Sequence, residues 1–252
     1  MSDSPVGLLG NFPANAGAAR DAAILAAVHA GDTTYTWASI VMDHGQHTGT
    51  FQVFADGLKL GGVRLAGSAR LCQQVADVLG ACLPTPRILD EAWLQAYLKI
   101  PPQTIWPNTI DTATMVKHSA MIDVACAGVP DGSLVMPIGK PWCLCKDATP
   151  QKSALYGWQS VAPVPGVRDG KNVPDIRVKS PATPGVFVIQ GFSTAHNPDY
   201  VDYSSSIWLV SRSCVVDGVT RDLVDILRDP ELAPLVSHEG VLVNVRQPGV
   251  AQ

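Results

Sequence analysis

Apolar and polar positions along this chain alternate with two periods, and the switches between them outline its elements. In "AARDAAILAAVHAG" (18–31), Ile24, Leu25 and Val28 fall at helical spacing inside an Ala-rich run. Gly31 suits a helix C-terminus, so the first helix is expected there. The period then drops to two. "TYTWASIV" sets Tyr35, Trp37 and Ser39 against its other face, and "TFQVFAD" does the same with Phe51, Val53 and Ala55. The pattern predicts a β-hairpin closed by a long polar loop, "MDHGQHTG", with "GVRL" as a third short strand. Ser68 is placed to cap "ARLCQQVADVLGA", where Leu71, Val75, Val78 and Leu79 form one stripe before Pro84 and Pro86 interrupt the chain. "RILDEAWLQAYLKI" reads as a further helix, ended by the extended "PPQTIWP".

Asp111 or Thr112 is expected to open "TATMVKHSAMIDVACAG", whose Met115, His118, Ser119, Ile122 and Cys126 share one face. His118 then points toward protein. Strands are expected in "SLVMPI", "PWCLC", "ALYGWQ", "VFVIQGF" and "SIWLVSRSCVV", and a short helix broken at Pro230 near the end. The fold class that follows is α+β, with a mixed or antiparallel sheet and several packed amphipathic helices. Residues 1–252 are expected as one domain with extended N-terminal, middle (160–185) and C-terminal arms, because those stretches lack periodicity and are rich in Pro and Gly.

Composition narrows the function classes. With 252 residues and 46% hydrophobic content the chain can bury a sizeable core. Charged residues make up only 16% and the net charge is −4, so the electrostatic footprint of nucleic-acid binding is missing. No apolar run reaches the ~20 residues of a membrane span, and "MSDSPVGLLGNFPANAG" does not read as an export signal. The six cysteines lack CxxC spacing, so neither a zinc site nor a redox pair is expected, and free thiols suit a reducing cytoplasm. In "DHGQH", Asp43, His44 and His47 offer metal-type ligands, but hairpin polarity explains them equally, and no metal or other cofactor is expected.

The densest polar chemistry lies in "GFSTAHNPDYVDYSSSIWLVSRSC" (191–214). Candidate catalytic residues are His196, Asp202, Lys140, His118, Tyr203 and Ser204. A carboxylate-held histidine serves as general base, a lysine or tyrosine stabilises developing negative charge, and a serine supplies a nucleophile. No G-x-S-x-G elbow accompanies them. The alternative is structural: His196 in a turn opened by Asn197-Pro198, Asp202 on an edge strand, and "SSS" a solvated strand entry.

"FQVFADGLKLGGVRL", "QQVADVLGACLPTPRILDEAW", "VKHSAMID", "GKPWCL", "YGWQ", "AHNPDYVDYS" and "LVSRSCVVDG" together resemble an uncharacterised protein group of tailed bacteriophages with shorter bacterial relatives. The similarity spans most of residues 20–240. It implies a virion-associated structural protein on a hydrolase-like scaffold, present in the host cytoplasm during assembly and then in the virion. Its partners would be other virion proteins or copies of itself. The bacterial relatives carry His after Tyr-Gly-Trp and Ser-His-Gly after Asp-Tyr. Here those places hold Gln159, Ser205 and Ser206, while His118, Lys140, Trp158, His196, Asp202 and Tyr203 are kept. The competing expectation is an active hydrolase on a bacterial envelope polymer, peptidoglycan or glycan, with His196 as base, Asp202 orienting it and Lys140 or Tyr203 stabilising the transition state.

Overall fold

Local capping chemistry sets the helix boundaries. In the computed structural model, which describes residues 12–168 and 170–251, helix α1 covers Ala18–Ala30 and ends at Gly31, whose φ of 76° is the left-handed conformation of a helix terminus. The Ser68 hydroxyl accepts from the Leu71 N–H at 3.1 Å and opens α2 (Ala69–Val78). Thr85 opens α3 (Pro86–Gln95) in the same way, and Asp111 opens α4 (Thr112–Ala125). Two shorter helices, α5 (Leu223–Arg228) and α6 (Ala233–Val236), flank Pro230. The helical part is slighter than several packed amphipathic helices. These last two are only 6 and 4 residues long, and α4 turns Thr112, His118 and Ser119 inward beside Met115 and Ile122.

Strands exceed helix among the described residues, about 30% against 24%, and most pair antiparallel. The first half of the chain holds β1 (Thr33–Thr34), β2 (Trp37–His44), β3 (His47–Phe54), β4 (Lys59–Leu60), β5 (Val63–Arg64), β6 (Ala81–Cys82) and β7 (Leu98–Lys99). β8 (Val135–Met136), β9 (Trp142–Cys143), β10 (Ser153–Gln159), β11 (Gly166–Arg168) and β12 (Lys171–Val173) follow. The last are β13 (Val178–Lys179), β14 (Phe187–His196), β15 (Val210–Val216) and β16 (Val219–Asp222).

One sheet has the order β16-β15-β3-β2, with β6 also on β15. The expected long loop between β2 and β3 is instead strand: His44 pairs with His47, and the chain turns over Gly45 and Gln46. Gly45, at φ 61°, supplies the backbone conformation that permits so short a turn. "GVRL" does not join this hairpin; β5 pairs with β4 in a separate sheet ordered β1-β4-β5. The helix read through Ile100 ends at Gln95, and β7 pairs in parallel with β8.

The sheet that carries the site is ordered β13-β14-β10-β9. All seven residues of β10 are buried, so its polar members face protein on both sides. The passage 160–185, expected as an extended arm, holds β11, β12 and β13, and β13 pairs with β14. Arg177 ties it to its own chain, donating to the Ser160 and Val161 carbonyls and pairing with Asp175 at 2.8 Å. Near the C-terminus, Arg246 pairs with Asp77 at 2.8 Å, and Gln247 accepts from the Ser153 hydroxyl at 2.7 Å. Most of the N-terminal arm expected over residues 1–17 lies outside the described residues. Buried apolar side chains from the sheets and the helices form a contiguous core cluster. Among the described residues no helix is long and apolar enough to cross a membrane.

Candidate functional site

Asp202 lies on an irregular segment between β14 and β15 and is fully buried. An isolated carboxylate there would be strongly disfavoured, yet its two oxygens are saturated with donors. Oδ2 accepts from Lys140 Nζ at 2.6 Å, from the Tyr200 hydroxyl at 2.9 Å and from Asn108 Nδ2 at 3.2 Å. Oδ1 accepts from the Ser204 N–H at 2.9 Å, the Ser204 hydroxyl at 2.7 Å and the Ser205 hydroxyl at 3.3 Å. Burial pushes the Asp202 pKa up, but the Lys140 charge and the bonds from Lys140 and Ser204 outweigh it and hold it at about 2. The carboxylate is therefore ionised and fully occupied.

Backbone geometry brings Lys140 to this point. Its N–H donates to the Ser204 carbonyl at 2.7 Å, and the Trp158 N–H donates to the Gly139 carbonyl at 3.3 Å. A Cβ on Gly139 would lie 2.5 Å from the Ser204 carbonyl oxygen, and one on Gly157 would lie 2.8 Å from the Gly139 carbonyl oxygen. Only glycine allows these three chain segments to approach so closely. Trp158 has φ 56°, a left-handed conformation unusual for a bulky residue. The Lys140 ammonium stands 4.9 Å from the centre of its ring, within range of a cation–π attraction.

Lys140, Trp158 and Tyr203 open onto a cleft of about 600 Å³. Its walls are mostly apolar, with Ile105 and Trp106 from the Pro-rich crossing, Val164 and Val167 from the 160–185 passage, and Ile189 from β14. The Tyr203 hydroxyl is spent on the Ile105 backbone, donating to its carbonyl at 3.1 Å and accepting from its N–H at 2.6 Å. It holds the wall in place and is not free to act on a ligand.

The two histidines join the cluster through packing. His118, on α4, meets the Tyr203 ring edge-on at 5.1 Å between centroids. Arg64 anchors that stretch of α4: its N–H donates to the Ser119 hydroxyl at 3.0 Å, and its guanidinium pairs with Asp123 and Asp56. Burial, reinforced by the Arg64 and Lys140 charges, lowers the His118 pKa to about 4 against the opposing pull of Asp202. The buried Nε2 of His118 has no hydrogen-bond partner among the described residues. His196, at the end of β14, packs against Tyr200 at 5.2 Å and the edge of Trp142 at 6.1 Å. Its pKa is lowered by burial and by Lys140. The Asp202 oxygens accept from other donors, so the expected bond by which Asp202 would orient His196 is not formed; Tyr200 bonds Asp202 in its place.

The chain matches no family model, no curated protein and no solved structure. The residues alone carry the functional reading.

Of the six candidates, Lys140, Asp202 and Ser204 form one bonded group, while Tyr203, His118 and His196 pack around it. The alternative of a solvated serine run does not hold, since Ser204, Ser205 and Ser206 are all buried. Asp202 is interior and not an edge-strand residue. Sequence reasoning missed Asn108, Trp106 and Tyr200. Tyr200 stood within the polar stretch itself, two residues before Asp202. Asn108 and Trp106 gave only the signal of an aromatic and an amide beside proline in "TIWPN". Gln159, one of the replaced positions, points elsewhere: with Tyr156 and Ser180 it donates to the buried carboxylate of Asp90. The "DHGQH" residues are absorbed by the hairpin end, where His47 bonds Asp217 at 2.6 Å and Glu231 at 3.3 Å.

Chemically, the site offers one buried ammonium to the cleft, beside an ionised carboxylate with no remaining acceptor duty. That arrangement can donate to an acceptor oxygen. The serine hydroxyl is buried and bonded to Asp202, remote from the role of nucleophile.

Proposed function

We propose that this chain is a virion-associated structural protein of a tailed bacteriophage, built on a hydrolase-like scaffold whose former catalytic site serves as a binding cleft. The observation that carries the non-catalytic reading is the saturation of Asp202. A carboxylate that accepts from Lys140, Tyr200, Asn108, Ser204 and Ser205 has no oxygen left to orient a histidine, and the hydroxyl it holds is not free to attack. The replacement of two histidines expected from the bacterial relatives, at Gln159 and Ser205, supports the same reading. Position 205 touches Asp202 directly, so a catalytic group there would have been adjacent to the carboxylate. In this reading the protein assembles in the host cytoplasm with other virion proteins or copies of itself and remains in the particle.

A second reading, an active hydrolase of a bacterial envelope polymer, draws on the convergence of Lys140, Trp158 and Tyr203 at a cleft of ligand size. The two are separated by incubating purified protein with peptidoglycan and measuring released soluble fragments, alongside mass spectrometry of purified particles. The structural reading expects the chain in particles and no release above buffer. Release that is lost in a folded Lys140→Met variant would establish the hydrolase instead.

A further inference from the structure

We infer that the cleft recognises an N-acetylated hexosamine unit of an envelope glycan, with the acetamido carbonyl accepting from Lys140 Nζ. This rests on the reading of the site as a binding cleft. The polar floor of the cleft dictates the type of group: every oxygen of Asp202 is occupied, the Tyr203 hydroxyl is spent on Ile105, and Lys140 is a donor only. Trp158, nine-tenths buried in the cleft wall, stacks its ring against the same ammonium and adds no acceptor. The complementary ligand group is an acceptor.

Charge then selects among acceptors. Lys140 is already neutralised by Asp202 at 2.6 Å. A ligand oxygen bonded to the same ammonium would lie no more than about 5–6 Å from the Asp202 carboxylate, given ordinary hydrogen-bond lengths. A second anion at that separation in a desolvated site is repelled. A neutral carbonyl is not. The remaining lining requires a small apolar group beside that carbonyl, for which Val164 and Ile189 provide the surface, as an acetyl methyl would need. Trp106 lines the same cleft with 89% of its surface exposed, leaving an aromatic face at the rim for the C–H face of a sugar ring. The exposed Asn108 beside it supplies a polar edge for hydroxyl groups. A purely aliphatic chain would have no use for that rim.

Isothermal titration of the full chain tests this with four neutral or charged probes: tri-N-acetylchitotriose, cellotriose, trigalacturonate and acetyl-trialanine amide. The acetylated trimer is expected to bind at least tenfold more tightly than any of the others. Trp106→Ala, which removes an exposed side chain and should leave the fold intact, is expected to weaken its binding about tenfold, and Lys140→Met to abolish the preference over cellotriose. Equal binding of cellotriose, tighter binding of trigalacturonate, or stronger binding of acetyl-trialanine amide would overturn the inference, the last in favour of a peptide ligand. Failure of the folded wild type to bind any saccharide would overturn it too, while leaving the virion role standing. Mass spectrometry of the same samples separates the two claims, because cleavage of the bound trimer would overturn the non-catalytic reading and leave acetamido recognition intact.

Discussion

Lys140 and Asp202 show how strongly one residue depends on another in this core. Removing one member of a buried ion pair leaves the other uncompensated, at a cost of about 3–5 kcal/mol. Lys140→Met is therefore expected to lower unfolding free energy by roughly that amount, read from urea denaturation at neutral pH; a wild-type midpoint in the variant would mean that Asp202 does not depend on the ammonium. The pH dependence follows from the same pair. Asp202 is held at about 2 in the fold, below its unfolded value, so its contribution is present above the unfolded pKa and is lost as pH falls through about 2. In Lys140→Met the carboxylate should protonate at higher pH, and the acid limb of the stability profile should move upward with it. His118 has the opposite chemistry with the same sign. Burial keeps it neutral down to about pH 4, so between the unfolded value near 6.5 and 4 the unfolded chain binds the extra proton, and stability falls as pH falls. Nitrogen-detected NMR of the imidazole should find His118 neutral at pH 5.5; a titration midpoint above 6 would contradict its burial.

At the scale of elements, the site is made where the segment before β9, strand β10 and the segment before β15 touch backbone to backbone. Gly139 is the position that makes this contact possible. An added Cβ would meet the Ser204 carbonyl oxygen, a backbone atom, at 2.5 Å and the Ser206 hydroxyl at 3.0 Å. Gly139→Ala is accordingly expected to destabilise by about 1–3 kcal/mol, the range of overpacking, and to displace the Lys140 ammonium. Urea unfolding combined with the chitotriose titration checks both parts. Gly45→Ala, at a positive-φ turn with open space around it, serves as the contrast: strain in the hairpin without any change in binding. A Gly139→Ala protein with native stability and affinity would show that the close approach is dispensable.

For the whole molecule, the passage 160–185 is the part whose order decides access to the cleft. Val164 and Val167 form one wall, while the tethers among the described residues are few: Arg177 on the Ser160 and Val161 carbonyls, Ser180 on Asp90, the Ser160 and Ser180 N–H groups on the Phe187 and Val186 carbonyls, and the short β13–β14 pairing. Segments with few buried apolar contacts open at lower free energy than core strands. Hydrogen exchange on the free chain should therefore show β11 and β12 exchanging well before β10. In assembled particles, protection of 160–185 should rise if neighbours complete it. Protection in the free chain equal to that of β10 would mean that the passage needs no neighbour, which would remove one support of the virion reading.

The sequence by itself determined the features whose causes are local. Ser68 and Asp111 cap helices because a side-chain oxygen reaches an N–H three residues away, and Gly31 ends α1 because its φ suits a terminus. The sequence also placed Lys140, Asp202, Tyr203, Ser204 and the two histidines in one candidate set, and it put His118 on the inward face of its helix. It misjudged the hairpin loop, since a polar composition does not distinguish a loop from a paired strand end, and it left open whether the serine run faced water. Those questions depend on contacts far apart in the chain. Asp202 meets Lys140 across 62 residues and Asn108 across 94. The three serines are polar in sequence and buried in the fold because Asp202 and the Gly139–Lys140 backbone use the donors and acceptors they bring. Burial and hydrogen-bond saturation are properties of what surrounds a group, so only the tertiary structure could decide that the carboxylate is spent and that Lys140 lines the cleft.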